Sequence, residues 1–321
     1  MIRTPDPAAY RGRSILVTGA TGLIGRALVP RLIAMGARVR TAGTRDAPFP
    51  DHHRGDLRDP AFAQGLMAGI DGLFHLAGLR GTVAMQRARG ADLLATNTLI
   101  CFQVLEAARR AAVERLVYAS TVTVYPPLPE YREDLAWSAN PAPSTEFVAW
   151  AKRMAEKLIE AQAVQEGRDN AAILRLVNTF GPHDDFNPAT ALVVPALIAR
   201  AEAGEDPFTV WGDGTAERDF LYVEDAVDGL LLGFEHGIGK GPVNLGSGQG
   251  TTIREVVGMV LAAAGRAPEV RWDAGRPSGE PRKVADPARC RAILGFRPRI
   301  GLAEGIARTL AWYRANRAVV S

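Results

Sequence analysis

The stretch Ile15-Leu16-Val17-Thr18-Gly19-Ala20-Thr21-Gly22-Leu23-Ile24-Gly25-Arg26 constrains this chain more than any other. Four residues with strand character run into three glycines at three-residue spacing. Beyond them Leu23, Ile24, Ala27, Leu28, Leu32 and Ile33 recur at helical intervals, which predicts a strand, a glycine turn and a helix. Without a Cβ, such a turn lets backbone N–H groups approach a pyrophosphate at the positive end of the helix. Placed after the first strand of an alternating chain, it implies a dinucleotide held by Gly19, Thr21, Gly22, Leu23, Ile24 and Gly25.

The pattern that follows keeps that promise. Residues 1–12 read as a poorly ordered leader, with two prolines and little periodicity. Ala37 to Ala42 reads as a second strand. Its end holds Gly43, Thr44 and Arg45, where an NAD site usually carries a carboxylate for the ribose, and Asp46 comes only one step later. An arginine there suits a 2′-phosphate, so NADP is favoured, with NAD still possible. Asp56 and Leu57 precede a helical stretch at 60–67, and the strand 72–78 ends in the small residues Ala77 and Gly78 after Leu76. The helix 92–112 carries Asn97 on or beside its apolar face, and a buried Asn needs a partner. A strand at 115–119 leads into Thr121, Thr123 and Tyr125. After a proline-rich loop at 126–143 come a helix at 145–165 with Lys152 and a buried strand at 171–177.

This alternation predicts an α/β fold, a Rossmann-type doubly wound parallel sheet. Beyond residue 179 the regularity breaks, with helices near 189–203 and 224–235, strands at 208–211 and 243–245, and a last helix at 302–317. The expected organisation is a dinucleotide-binding domain over 1–179, with a return segment at about 218–247. The segments 180–217 and 248–321 would form a smaller C-terminal substrate-binding lobe.

Together these motifs resemble the extended short-chain dehydrogenase/reductases, the NAD(P)-dependent epimerase/dehydratase family acting on nucleotide sugars. The residues that carry the resemblance are the glycine turn, Gly55-Asp56-Leu57, His75-Leu76-Ala77-Gly78, Ser120-Thr121 with Val124-Tyr125, and Lys152. Further along they are Arg175 with Asn178 and Gly181-Pro182, Arg218, Val223-Glu224-Asp225 and Asn244-Leu245-Gly246-Ser247-Gly248. The stretches 180–188, 194–197, 210–215 and 218–220 are similar to the GDP-L-fucose synthases within it. The resemblance implies an NADP cofactor touching Arg45, Asp56, Leu57, Leu76, Ala77, Gly78, Asn97 and Lys152. It also implies a nucleotide-diphosphate sugar, with a GDP-sugar favoured, bound by Asn178, Val194, Trp211 and Arg218, and a homodimer paired through the helices 93–112 and 145–165.

In that family a Ser or Thr holds the reacting oxygen, a Tyr moves the proton, and a Lys four residues later lowers the Tyr pKa. Thr121 and Lys152 match, but the residue four before Lys152 is Val148, and no Tyr-x-x-x-Lys occurs among the four lysines. Thr123 and Leu192 stand where fucose synthases carry a Cys and a His. Two readings follow. Either the chain is an active enzyme in which a water, Thr121, Thr123 or His183 replaces the Tyr, or it is a weakly catalytic nucleotide-sugar-binding homologue that partners an active one. A valine introduced by substitution to trap a complex is a third, more remote origin.

Charge and cysteine usage narrow the rest. The net charge is only +3 in 321 residues, and the arginines are scattered, which argues against a nucleic-acid stripe. Cys101 and Cys290 lie far apart and read as core fillers, not as a disulfide or a metal site. No apolar run reaches the length of a membrane span, and the first ten residues lack a signal's apolar region, so the expected address is the cytoplasm.

Overall fold

The computed structural model describes residues 2–187, 189–276 and 279–320, with the backbone alone for 318–320. Met1 of the expected leader and Pro188 of the 180–188 stretch lie outside the described residues. The apolar run Ile15-Leu16-Val17 is fully buried, as a strand covered on both faces requires. It forms the middle of β1 (Ser14–Thr18), and the glycine turn then enters α1 (Leu23–Ala34). The chain continues through β2 (Arg38–Gly43), β3 (Asp51–Arg54), α2 (Pro60–Gly65), β4 (Gly72–His75), α3 (Val83–Ala88), α4 (Gly90–Arg110) and β5 (Arg115–Thr121). Next come α5 (Glu146–Glu166), β6 (Ala171–Leu176), β7 (Asn178–Phe180), α6 (Val193–Glu202), β8 (Phe208–Trp211), β9 (Glu217–Arg218), β10 (Phe220–Tyr222) and α7 (Val223–His236). The remaining elements are β11 (Pro242–Leu245), β12 (Thr251–Thr252), α8 (Ile253–Ala264), β13 (Val270–Asp273), β14 (Arg282–Lys283), α9 (Ala288–Leu294) and α10 (Leu302–Val320).

Seven strands form one sheet in the order β3-β2-β1-β4-β5-β6-β11, every pair parallel. Growth of the sheet reverses between β1 and β4, so the crevice for a ligand opens there, beyond the carboxyl ends of the strands. Alternate residues face opposite layers. Ile15, Val17 and Phe74 pack with α1 and α7, whereas Leu16, Leu73 and Tyr118 pack with α2, α4 and α5. A third apolar cluster joins α6, α8, α10 and the parallel pair β8–β13.

The leader is a correction to the sequence reading. Residues Pro7–Ala9 form a 3-10 turn capped by Asp6, and Tyr10 is fully buried. Its hydroxyl donates to the Leu231 carbonyl at 2.7 Å, and its ring stacks on Phe234 at 5.3 Å. One aromatic side chain supplies the burial that the lack of periodicity concealed. The proline-rich loop is likewise anchored, by Tyr131, which pairs with Ala285 and stacks on Tyr125 at 4.7 Å.

Candidate active site

The carboxyl ends of β1, β4 and β5 carry the glycine turn, the loop from Leu76, and the segment Thr121–Tyr125. Gly19 adopts a left-handed backbone with φ of +75°, and a Cβ there would stand 2.8 Å from the Ala77 amide nitrogen. At Gly25 a Cβ would lie 2.4 Å from the Gly19 carbonyl oxygen. Gly22 caps α1, no side chain caps the helix, and its first turn holds no acid. The helix therefore presents unsatisfied N–H groups and its positive end to the crevice, and this bare cradle fits a dinucleotide pyrophosphate. Ile24 packs partly buried beside the core, and Leu23 is buried in the third cluster, so both offer backbone and not side chain to a ligand.

Beyond the turn, β2 ends in the buried Gly43, where a Cβ would sit 3.5 Å from Thr21 Oγ1. The Arg45 side chain is exposed and makes no ion pair among the described residues, whereas Asp46 is paired with Arg54 at 3.1 Å. Asp56 is gripped by Arg58 at 2.6 Å, and those hydrogen bonds hold its carboxyl below the usual range. Leu57 is buried among apolar residues with α2.

At the other end Gly78 passes close over two side chains, since a Cβ there would be 3.0 Å from Asn97 Oδ1 and 3.7 Å from Lys152 Nζ. Asn97 finds its partners in the loop backbone. Its Oδ1 accepts from the Leu79 amide at 2.8 Å, and its Nδ2 donates to the Leu79 and Leu93 carbonyls. Lys152 Nζ donates to the Ala119 carbonyl at 2.8 Å and lies 4.8 Å from the Tyr118 ring centre. Burial pulls the ammonium below its ordinary pKa, against the opposing pull of Cys101 and Glu156. Thr121 ends β5 half-buried, and its Oγ1 accepts from the Thr123 amide at 3.2 Å and from Thr123 Oγ1 at 3.3 Å. Val148, 9% exposed, stands one helical turn before Lys152 on α5.

On the far side of the crevice Asn178 Nδ2 donates to the Asp219 carbonyl at 2.9 Å, next to Arg218. Arg218 donates to the Glu217 carbonyl at 2.7 Å, and burial lowers its pKa against the pull of Glu280 and Tyr131. Trp211 is 55% exposed at the end of β8 with the Arg276 guanidinium 5.5 Å over its ring. Val194, 1% exposed, packs in the third cluster because α6 turns its apolar face inward, so there it can offer a ligand backbone and not side chain. His183, in a left-handed conformation with φ of 67°, lies on Trp312 at 4.6 Å and makes no hydrogen bond to Thr121, Thr123 or Lys152.

Sequence reasoning missed the scaffold beneath these residues. Arg175, fully buried, pairs with Glu156 at 2.7 Å, and Glu156 accepts from Ser120 Oγ at 2.5 Å. Arg175 also donates to Tyr125 Oη at 3.0 Å, which in turn donates to Asn244 at 2.7 Å. A signal was present, since an arginine inside the apolar strand Ala171–Leu176 demands a buried acid, and Glu156 lies in the buried stripe of α5. Near Arg218, Glu280 bonds Ser144 at 2.6 Å and Lys283 at 2.5 Å.

Residues 15–246 match the model of the NAD dependent epimerase/dehydratase family. The chain is 31% identical to dTDP-4-dehydro-6-deoxy-D-allose reductase of Streptomyces bikiniensis, over 95% of this chain and 97% of that one. It is 29% identical to GDP-L-fucose synthase 1 of Arabidopsis thaliana, over 95% and 94%. Among solved structures it is similar to a GDP-L-fucose synthetase from Naegleria fowleri bound to NADP, with a TM-score of 0.83, 25% identity and coverage of 99% and 96%.

Proposed function

The chain belongs to the NAD dependent epimerase/dehydratase family, and on that premise we propose that it is an NADP-linked enzyme acting on a nucleotide-diphosphate sugar, a GDP-sugar by preference, as an epimerase, reductase or dehydratase. The observation that carries the reading is the bare glycine cradle at the sheet's crevice, with Thr121 at the carboxyl end of β5, one strand beyond β4, and Lys152 on the helix behind it. The nicotinamide would supply or accept hydride. Thr121, whose oxygen already accepts two bonds, keeps its own O–H to donate to the reacting oxygen. Lys152 would hold the nicotinamide ribose, and Arg218, with Asn178 beside it, would take the diphosphate. The Arabidopsis and Streptomyces relatives, a GDP-fucose synthase and a dTDP-sugar reductase, support the substrate class.

Cofactor choice rests on Arg45. With no carboxylate at the end of β2 and Asp46 tied to Arg54, NADP(H) is expected to bind more tightly than NAD(H). Arg45→Asp removes one charge-assisted phosphate contact, about 1.5–3 kcal/mol, and is expected to narrow or reverse the preference in a titration of both dinucleotides. Equal affinities in the unaltered protein overturn the assignment. A second reading, a binding homologue with little turnover, is favoured by one feature, the apolar Val148 in place of a proton donor. Incubation with NADP(H) and GDP- or dTDP-linked 4-keto sugars separates the two, since only an enzyme changes the nicotinamide absorbance or the sugar.

Two copies are expected to pair through α4 and α5, which expose Leu99, Phe147, Met154 and Val164. The buried free thiols of Cys101 and Cys290 support a cytoplasmic address, and no helix among the described residues is long and apolar enough to cross a membrane.

A further inference from the structure

We propose that Lys152 itself is the proton source for the reacting oxygen, delivering through one water or hydroxyl, in place of the phenol this chain lacks. This rests on the redox reading above and deepens it. Among the described residues, the Thr123 and Tyr125 hydroxyls and the His75 ring are already engaged in hydrogen bonds. The Thr123 hydroxyl donates to Thr121, and Thr121 can hold an oxygen but is far too weak an acid to protonate it. Tyr125 Oη donates to Asn244 and accepts from Arg175, and burial pushes the phenol up to about 12. His75, bonded to Thr18 at 2.7 Å, is driven down to about 3 by burial and by Lys152, so it is neutral at neutral pH. His183 lies on Trp312.

Lys152 is different. An ammonium has three N–H groups, and among the described residues one is used, on the Ala119 carbonyl two residues before Thr121. The groups facing it are Glu156 on its own helix, Cys101 on α4, the Tyr118 ring on β5 and His75 on β4. Glu156 is held by Arg175 and Ser120, so it does not take the lysine's proton. Burial eases release of that proton, which a surface lysine would keep.

The step balances in either direction. In reduction the carbonyl carbon gains hydride from the reduced nicotinamide, and the carbonyl π pair collects on oxygen. The intervening water gives that oxygen a proton and takes one from Nζ, and the neutral amine recovers its proton from solvent. Oxidation reverses each transfer.

Lys152→Arg keeps the charge and the ribose contact but cannot release a proton. It is expected to bind NADP(H) within a few-fold of the unaltered protein while turnover falls about 10²-fold or more. Lys152→Ala is expected to regain rate with added primary amines, in step with their acidity. In protein labelled at lysine 13Cε, with only four lysines to assign, the signal that Lys152→Arg removes is expected to titrate below the ordinary lysine range and to shift on dinucleotide binding. Arginine retaining activity within threefold, no amine rescue, a signal that titrates in the ordinary lysine range, or bound dinucleotide with no turnover in the unaltered protein each overturn the proposal. Failure of the unaltered protein to bind dinucleotide overturns the site reading instead.

Discussion

Single atoms decide what the glycine turn tolerates. A methyl group at Gly25 would meet backbone at 2.4 Å, and backbone cannot swing aside, whereas at Gly22 the nearest atom would be 3.4 Å away. Gly25→Ala is therefore expected to cost about 1–3 kcal/mol in unfolding free energy and to weaken dinucleotide binding at least tenfold. Gly22→Ala, by contrast, is expected to change stability by less than about 1 kcal/mol. Urea unfolding with dinucleotide titration on both variants tests the contrast. Tyr125 is the second case. It lies four residues past Thr121, yet its hydroxyl is tied into the Arg175–Asn244 network and its burial keeps it neutral. Tyr125→Phe is expected to lose about 1–3 kcal/mol of stability by stranding the Asn244 acceptor, while kcat stays within a few-fold; a collapse of kcat in a folded variant would make Tyr125 the missing acid.

At the scale of elements, α5 is fixed against the sheet by one buried ion pair. Glu156 on α5 and Arg175 on β6 are 3% and 1% exposed at the side chain, and Ser120 on β5 completes the carboxylate's shell. That anchor sets the rotation of the helix and so presents Lys152, one turn earlier, to Ala119. Glu156→Ala leaves a buried guanidinium without its counter-charge, which is expected to cost about 3–5 kcal/mol. The double variant Glu156→Leu with Arg175→Met is expected to recover most of that loss, because neither charge then remains buried. A single variant costing under 1 kcal/mol would show that α5 is held by its apolar face alone.

Across the whole molecule, the central sheet carries an acid-sensitive point. His75 ends β4, is fully buried, and has its pKa driven down to about 3 by burial and by Lys152. Its folded value lies below the unfolded value of about 6.5, so the neutral ring contributes stability that is present above pH 6.5 and is lost as pH falls toward 3. Over the middle of that window the slope approaches one proton, about 1.4 kcal/mol per pH unit. Burial also lowers His183 and His236, which add to the same trend at more exposed positions. Unfolding free energy measured against pH is expected to show a slope about one proton smaller in His75→Asn; an unchanged slope would place the acid sensitivity elsewhere.

The dinucleotide fold was legible in the order of residues because its signals are local. Glycine spacing, strand-length apolar runs and helical periodicity placed β1, α1, β4, α4, β5, α5 and β6, and that no Tyr-x-x-x-Lys spacing occurs is read off the sequence directly, although only the family resemblance gives Val148 its meaning. Three-dimensional contact decided the rest. Tyr10 looked like part of a loose leader until Leu231 and Phe234, over two hundred residues away, gave it a pocket. Val194 carried a motif position into an apolar core, and α8 and α9 lie where the alternation had broken. Asn97 needed a partner, which the sequence stated, but only the passage of Leu79 over α4 named it. Local propensity reports what a segment does by itself, whereas burial and pairing of polar groups depend on neighbours brought together from distant parts of the chain.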